Sequence, residues 1–475
     1  MGSESPLHVL MVSFPGQGHI NPLLRLAKRL ASNGLYITFS APSHVGNMIQ
    51  KSTKTDSDKP IRVGKGSIRF EFFPDGWEDD DLRRFNLDIY MNQLATFAKD
   101  AFVDLINRQA DMGRPVHCIV NNPFVPWAVD VATDMGLPCA VLWVQSCAVY
   151  SAYYHYHHSL ASFPTEEQPT LSVSLPGLPT LDSDEVPSFL HPFDPPRHKS
   201  LKTAILAQFK NLEKSFCVLT DSFEELEKDA IEGMSKLCPI KPVGPLYKFK
   251  DGDDGNNVRA DMWSASDECI EWLDSKPAGS VVYVSFGSIV FLGKKQMEEL
   301  ARGLLNSGQP FLWVVKPPPK EFSEDGGRLP EGFIEEAEGK GLIVNWCPQD
   351  RVLVHPSIAC FVTHCGWNSS MEILSSGVPI VTAPQWGDQV TNAKMLADVY
   401  GVGVRLLRSE YDLETLSRDQ VEKCIAEVIS GPKAEEIKKN AAKWKKAAEE
   451  AASEGGSSQK NLEAFVDDIR RFSCN

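Results

Sequence analysis

The sequence predicts an α/β fold of two domains, each a parallel sheet covered by helices on both faces. Three observations carry that reading. Short apolar runs of strand length alternate with stretches of helical period along the chain, the pattern of βαβ units whose strands are buried on both sides. A polar run rich in glycine and aspartate, Lys248 to Asn257, interrupts the pattern, which then restarts. The length of 475 residues exceeds one ordinary core, at roughly 100 to 200 residues per domain.

The elements follow in order. Leu7 to Phe14 reads as a strand, followed by the turn Gly16-Gln17-Gly18-His19 and a helix from Pro22 to Ser32 whose Leu23, Leu24, Leu26, Ala27 and Leu30 share a face. Leu35 to Ser40 is a second strand after Asn33-Gly34. Cys118 to Asn121 leads into a helix over Trp127 to Met135 and a strand over Cys139 to Val144. Residues 1–240 form the first domain, and residues 241–257, with Pro242, Gly244 and Pro245, form a linker. The second domain, 258–456, repeats the rhythm. It holds Val281 to Phe286, the turn Gly287-Ser288, a helix over Lys295 to Ser307, then strands at Pro310 to Lys316, Leu342 to Trp346, Ile358 to Thr363 and Pro379 to Thr382. The amphipathic segment 457–475 is a candidate to pack back on the first domain.

Composition narrows the function. A net charge of −15 and a pI near 5.3 provide no positive field for nucleic acid or an anionic membrane. The eleven cysteines are scattered and never spaced as CxxC, which argues for reduced thiols in a cytoplasmic protein rather than disulfides or a zinc site. No apolar stretch approaches the roughly 18 residues that span a bilayer, and Leu7 to Phe14 is too short for a signal peptide. A soluble monomer is expected. The run Tyr153 to His158 lacks a carboxylate or thiolate at ligand spacing and reads as an aromatic helix. Glu78 to Asp81 reads as a solvated loop. No metal is expected.

Ile358 to Thr363 is followed by the turn His364-Cys365-Gly366, from which Trp367-Asn368-Ser369-Ser370 starts a helix running through Glu372 and Leu374. A helix N-terminus behind a glycine turn offers amide donors and the positive end of a dipole, which is an anion site. Asn368, Ser369 and Ser370 alone would equally serve as helix caps; His364 beside the turn favours a diphosphate. Near the N-terminus, Gly16-x-Gly18 lacks the third glycine of a dinucleotide loop, and the strand ending at Ser40 lacks the acidic ribose ligand. That weakens a nicotinamide-dependent reading. His19 stands at the mouth of the sheet, where catalytic side chains of open α/β folds gather.

The unbroken segment Trp346 to Gln389 closely resembles the signature box of plant family 1 UDP-glycosyltransferases, and a general resemblance extends over almost the whole chain. It implies the GT-B fold, two Rossmann-like domains facing across an interdomain cleft. It also implies inverting, metal-independent transfer of glucose from UDP-glucose, a donor substrate rather than a cofactor, to a small aromatic acceptor. By this resemblance Trp346 stacks on uracil, the Cys347 backbone and Gln349 hold the base and ribose side, and Glu372 takes the ribose hydroxyls. His364, Asn368, Ser369 and Ser288 hold the diphosphate. Trp367, Asp388 and Gln389 contact the sugar, the final glutamine implying glucose where a histidine would imply galactose. Gln145 or Ser146 reaches the sugar 6-hydroxyl, and His19 matches the catalytic histidine. The loops Asp75 to Leu87 and Pro176 to Pro195 shape the acceptor pocket.

One position departs from the family pattern. The aspartate that pairs with the catalytic histidine in most relatives is matched by Asn122, in Val120-Asn121-Asn122-Pro123-Phe124. An amide can orient a ring but cannot balance an imidazolium. His19 is then a poor base for a phenol, with a pKa of about 10, whereas a carboxylic acid, at about 4, is already ionised. Asn122 therefore favours a 1-O-acyl glucose ester, and Trp143 with Gln145-Ser146-Cys147-Ala148 resembles ester-forming branches of the family. Asp130 is an alternative acid. Rival readings are glucosylation of phenolic hydroxyls such as flavonoids, an epimerase or hydrolase on the same fold, and a non-catalytic UDP-sugar sensor.

Overall fold

The computed structural model describes residues 6–53, 59–193, 199–247, 258, 268–316, 327–406 and 416–473. The chain divides into two units, Met1–Trp263 with Glu450–Asn475, and Ser264–Glu449.

The first unit is built on strands β1 (His8–Val12), β2 (Tyr36–Ser40), β3 (Ile61–Val63), β4 (Gly66–Phe70), β5 (Cys118–Asn121), β6 (Cys139–Trp143), β7 (Cys217–Thr220) and β8 (Ile240–Pro242). Their order in the sheet is β3-β4-β2-β1-β5-β6-β7-β8. All pairings are parallel except that of β3 with β4, a hairpin added at the edge. β1 is buried along its whole length, as a strand covered on both faces must be. It pairs with β2 on one side and β5 on the other, so the order reverses there and the loops after β1 and β5 flank the crevice.

The helix after β1 runs Gln17–Ser32, five residues longer at its start than the sequence suggests. The expected turn at Gln17-Gly18-His19 is the first turn of this helix, with Gly16 as its N-cap. Pro22 forgoes one backbone bond, but the apolar face reaches back to the buried Ile20 and carries the helix through. The amides of His19 and Ile20 both meet the Gly16 carbonyl, at 2.8 and 2.9 Å.

The first unit also continues past residue 240, where the sequence suggested a linker. Ile240–Pro242 is strand β8, and Val243, Leu246 and Val258 join the first core. The prolines end a strand there rather than open a linker; residues 248–257 lie outside the described residues. The helix Ser457–Ser473 buries Leu462, Phe465, Val466 and Ile469 in the same core, the i, i+3, i+4, i+7 stripe of an amphipathic helix. Lys241 pairs with Asp468 at 2.8 Å.

The second unit holds β9 (Val281–Ser285), β10 (Phe311–Val314), β11 (Gly341–Val344), β12 (Ile358–Thr363), β13 (Ile380–Thr382) and β14 (Gly403–Arg405). The order is β11-β10-β9-β12-β13-β14, parallel throughout. This is the doubly wound arrangement of nucleotide-binding sheets, whose ligands lie beyond the strand carboxyl ends where the order reverses, here between β9 and β12.

Candidate functional site

In the second unit the segments after β9, β11, β12 and β13 carry the residues singled out by sequence. His364 is the first residue past β12 and is buried. Its ring is wedged between two glycines: a Cβ on Gly287 would stand 2.7 Å from Cε1 and Nε2, and one on Gly366 would stand 2.5 Å from Nε2. Gly287 also has φ 71°, in the left-handed region. Burial lowers the His364 pKa to about 4, so the ring is neutral and offers one N–H. Cys365 follows with φ 63°, uncommon for a residue with a side chain. Its carbonyl accepts from Asn392 Nδ2 at 3.0 Å, which ties the turn to the segment after β13.

The turn delivers the helix Trp367–Ser376, whose N-cap is Gly366 with no side-chain cap. Asn368, Ser369 and Ser370 lie inside its first turn rather than at the cap position. Gln349, at the start of a short helix after β11, joins this helix from the side. Its Nε2 donates to Glu372 Oε2 at 2.6 Å and Ser369 Oγ at 3.0 Å, while its Oε1 accepts from Tyr283 Oη at 2.8 Å. Tyr283 Oη also lies 3.3 Å from Cys347 Sγ. Half-buried Trp346 precedes this cluster. After β13, the buried Gln389 accepts from the backbone of Gln385 and Trp386, at 2.9 and 3.4 Å. Asp388 Oδ2 accepts from Asn392 Nδ2 at 2.8 Å. Trp367 is buried at the first position of its helix.

Ser288, on the turn after β9, receives Lys316 Nζ at its carbonyl. The ammonium lies 5.9 Å from the Trp346 ring centroid and 5.5 Å from that of Phe291. Burial pushes the Lys316 pKa down to about 8.

In the first unit, His19 and Asn122 come together at the switch point. The His19 ring lies edge-on to Phe124 at 4.7 Å and to Phe14 at 5.2 Å between centroids. Burial lowers its pKa to about 4. Asn122, fully buried, is the first residue past β5; its amide N–H donates to Val12 O and its Oδ1 accepts from Phe124 N, both at 3.0 Å. His19 Nδ1 and Asn122 Nδ2 are buried without a hydrogen-bond partner. Asp130 is turned to Asn211 and Lys214, at 2.8 and 2.7 Å, so it does not replace the missing acid. Gln145 Oε1 is buried without a partner, and Ser146 caps the helix Cys147–His157 through Val149 N at 3.2 Å. That helix packs Tyr150 and Tyr153 on Trp143 and Phe209. Asp75, at the start of the expected acceptor loop, is buried and held by Arg84 at 2.8 and 2.9 Å.

Residues 242–446 match the family described as UDP-glucoronosyl and UDP-glucosyl transferase, and residues 5–216 match the glycosyltransferase N-terminal domain. Gallate 1-beta-glucosyltransferase of Quercus robur is 56% identical over 470 residues, 99% of this chain and 91% of that protein. The chain belongs to the UDP-glycosyltransferase family. Cinnamate beta-D-glucosyltransferase of Fragaria ananassa is 55% identical to this glycosyltransferase over 475 residues, covering 100% of this chain and 85% of that protein. The crystal structure of Os79 from O. sativa in complex with UDP superposes with a TM-score of 0.85 at 33% identity, over 97% of this chain and 100% of that one. The fold of the glycosyltransferase is therefore GT-B, with two Rossmann-like units.

Sequence reasoning missed four contributors to these clusters. Tyr283 and Asn392 hold Gln349, Asp388 and Cys365 in place. Lys316 is brought to Ser288 from the end of the neighbouring strand β10. Glu227, fully buried, accepts from Cys147 N, Ala148 N and Ser222 Oγ at 3.0, 3.1 and 2.5 Å, and so anchors the start of the helix behind Gln145. The pattern Ser285-Phe-Gly-Ser288 on a strand end was a signal for the first cluster. A lone lysine or glutamate far away in sequence gave none.

Proposed function

We propose that this glycosyltransferase moves glucose from UDP-glucose onto the carboxylate of a phenolic or related aromatic acid, with inversion and without a metal, giving a 1-O-acyl glucose. One observation carries the choice of acceptor: a buried amide, Asn122, occupies the place beside His19 where a carboxylate would be needed to balance an imidazolium. The ring sits neutral in an apolar slot, and a base whose charged form is penalised by burial gains little by taking a proton. A carboxylate acceptor needs no deprotonation near pH 7. The names of the gallate and cinnamate relatives accord with this reading.

On the donor side, Trp346 stacks on uracil, with Cys347 and Gln349 holding the base and Glu372 the ribose. His364, Ser288, Asn368, Ser369 and the amides of the helix Trp367–Ser376 hold the diphosphate, and the Lys316 ammonium adds positive charge at the Ser288 turn. Trp367, Asp388 and Gln389 contact glucose. The acceptor oxygen displaces UDP from the opposite face of the anomeric carbon. Buried thiols with no disulfide among the described cysteines suit a cytoplasmic enzyme.

The test is turnover of UDP-glucose with a mixed panel of aromatic carboxylic acids and flavonoid phenols, followed by mild alkali. Alkali-labile products made mainly from the acids are expected. Alkali-stable products made mainly from phenols would overturn the acceptor assignment.

A further inference from the structure

We propose that Tyr283 is a positioning residue for donor recognition: its hydroxyl fixes the Gln349 amide, which in turn sets the Glu372 carboxylate for the ribose and the Ser369 hydroxyl for the diphosphate. The proposal rests on the assignment of Glu372 and Ser369 to those two parts of UDP-glucose. It gives a role in donor selection to a residue outside the segment Trp346 to Gln389.

Tyr283 stands in the middle of β9, between β10 and β12. It is only 1% exposed, and its ring packs on that of its cross-strand partner Phe361 at 4.5 Å between centroids. Packing therefore fixes where the hydroxyl points. Burial pushes the phenol pKa well above its ordinary value, so the proton is present to be donated. Oη donates it to Gln349 Oε1 at 2.8 Å. On the other side of the amide, Nε2 meets Glu372 Oε2 at 2.6 Å and Ser369 Oγ at 3.0 Å. A carboxylate oxygen only accepts, so the nitrogen has to face Glu372 and the oxygen has to face Tyr283. The reverse orientation would set two acceptors against each other across the same 2.6 Å.

One amide thus braces two functional side chains. Ser369 and Glu372 lie three residues apart on the helix Trp367–Ser376 and so share a face, with Gln349 reaching both from the side. Because Ser369 Oγ accepts from Nε2, its own proton points away from Gln349 and can be given to an anion. The Glu372 oxygen that faces Gln349 is held by a short bond, which fixes the plane of the carboxylate. Tyr283 supplies the third contact, the one that keeps the amide from turning. Without its hydroxyl, Gln349 Oε1 loses that donor, and Ser369 and Glu372 lose a common brace. Tyr283 touches no part of the donor in this account and acts only through Gln349.

The experiment compares the full-length wild type with Tyr283→Phe, which keeps the ring on Phe361 and removes one oxygen, and with Glu372→Gln. Initial rates give kcat, the KM for UDP-glucose, the KM for the acceptor, and the preference in kcat/KM for UDP-glucose over its 2′-deoxyuridine counterpart. In Tyr283→Phe the KM for UDP-glucose is expected to rise about three- to tenfold, the order of one neutral hydrogen bond, with kcat and the acceptor KM unchanged. The ribose preference is expected to fall towards that of Glu372→Gln. A loss of stability alone would not move the ratio between two donors. A wild-type preference retained in Tyr283→Phe but lost in Glu372→Gln overturns the proposal and leaves the Glu372 assignment standing. A preference untouched in Glu372→Gln overturns that assignment and the proposal with it. If Tyr283→Phe does not fold, Gln349→Met, at a partly exposed position, cuts the same link from its other end and is judged by the same two results.

Discussion

His364 occupies its place at the end of β12 only because Gly287, at the end of β9, has no side chain: a Cβ there would stand 2.7 Å from two atoms of the imidazole. Gly287→Ala adds that clash to the strain of a left-handed φ, which alone costs about 1 to 2 kcal/mol. The expected outcome is a rise in the KM for UDP-glucose of about tenfold, 1.4 kcal/mol per tenfold, together with lower stability. Gly339→Ala separates the two effects, since Gly339 has φ 75° and nothing within 4 Å of its Cβ position. It should lose stability alone. Equal KM values for the two variants would mean that the His364 contact does not shape donor binding.

Lys316 is expected to set the alkaline limb of the enzyme. Its ammonium, anchored on the Ser288 carbonyl, titrates at about 8 because burial penalises the charge. The positive charge is present below that pH and is lost as pH rises through it, so kcat/KM for UDP-glucose, which reports the free enzyme, should fall above about pH 8. In Lys316→Met the KM should rise, and this limb should disappear. Initial rates at limiting donor across the alkaline range, for both proteins, check the prediction; an unchanged limb in Lys316→Met refutes it.

Much of this was legible in the sequence because it is local. The runs at Ile358–Thr363 and Cys118–Asn121 match the observed strands to the residue, since a buried parallel strand is a continuous apolar stretch bounded by turn residues. The turn at Gly287 could be read for the same reason. The three-residue strands β3, β8 and β14 carry too little periodicity to register, and the antiparallel edge of the first sheet depends on a hairpin between one of them, β3, and the five-residue β4. The helix start at Gln17 was hidden by Pro22 and two glycines, residues whose local preference is overridden by burial of Ile20. Lys316 lies 28 residues from Ser288, and Glu227 lies 80 residues from Cys147. Only the strand order brings such pairs together. Asn122 was visible as a departure, whereas the direction in which its amide points was set by the Phe124 backbone.

Acid should destabilise the protein well above the range of ordinary carboxylates, through three histidines. His8, His19 and His364 each have a pKa lowered to about 4 in the fold, burial being the largest cause, against about 6.5 in an unfolded chain. As pH falls below about 6.5, the unfolded chain binds protons that the folded chain refuses, so stability is full above that pH and is lost progressively down to about 4. At 1.36 kcal/mol per pKa unit, each ring contributes up to about 3 kcal/mol to the loss. His8 permits a test outside the catalytic residues. Its Nδ1 donates to Arg114 O at 2.9 Å and its Nε2 lies 2.8 Å from Thr38 Oγ1, so the neutral ring is fully paired. The midpoint of urea unfolding of the first unit should therefore fall between about pH 6.5 and pH 4, and in His8→Gln it should fall less steeply, whatever its value at neutral pH. An identical slope in the two proteins would place the acid sensitivity elsewhere, in the carboxylates that begin to protonate below about pH 5.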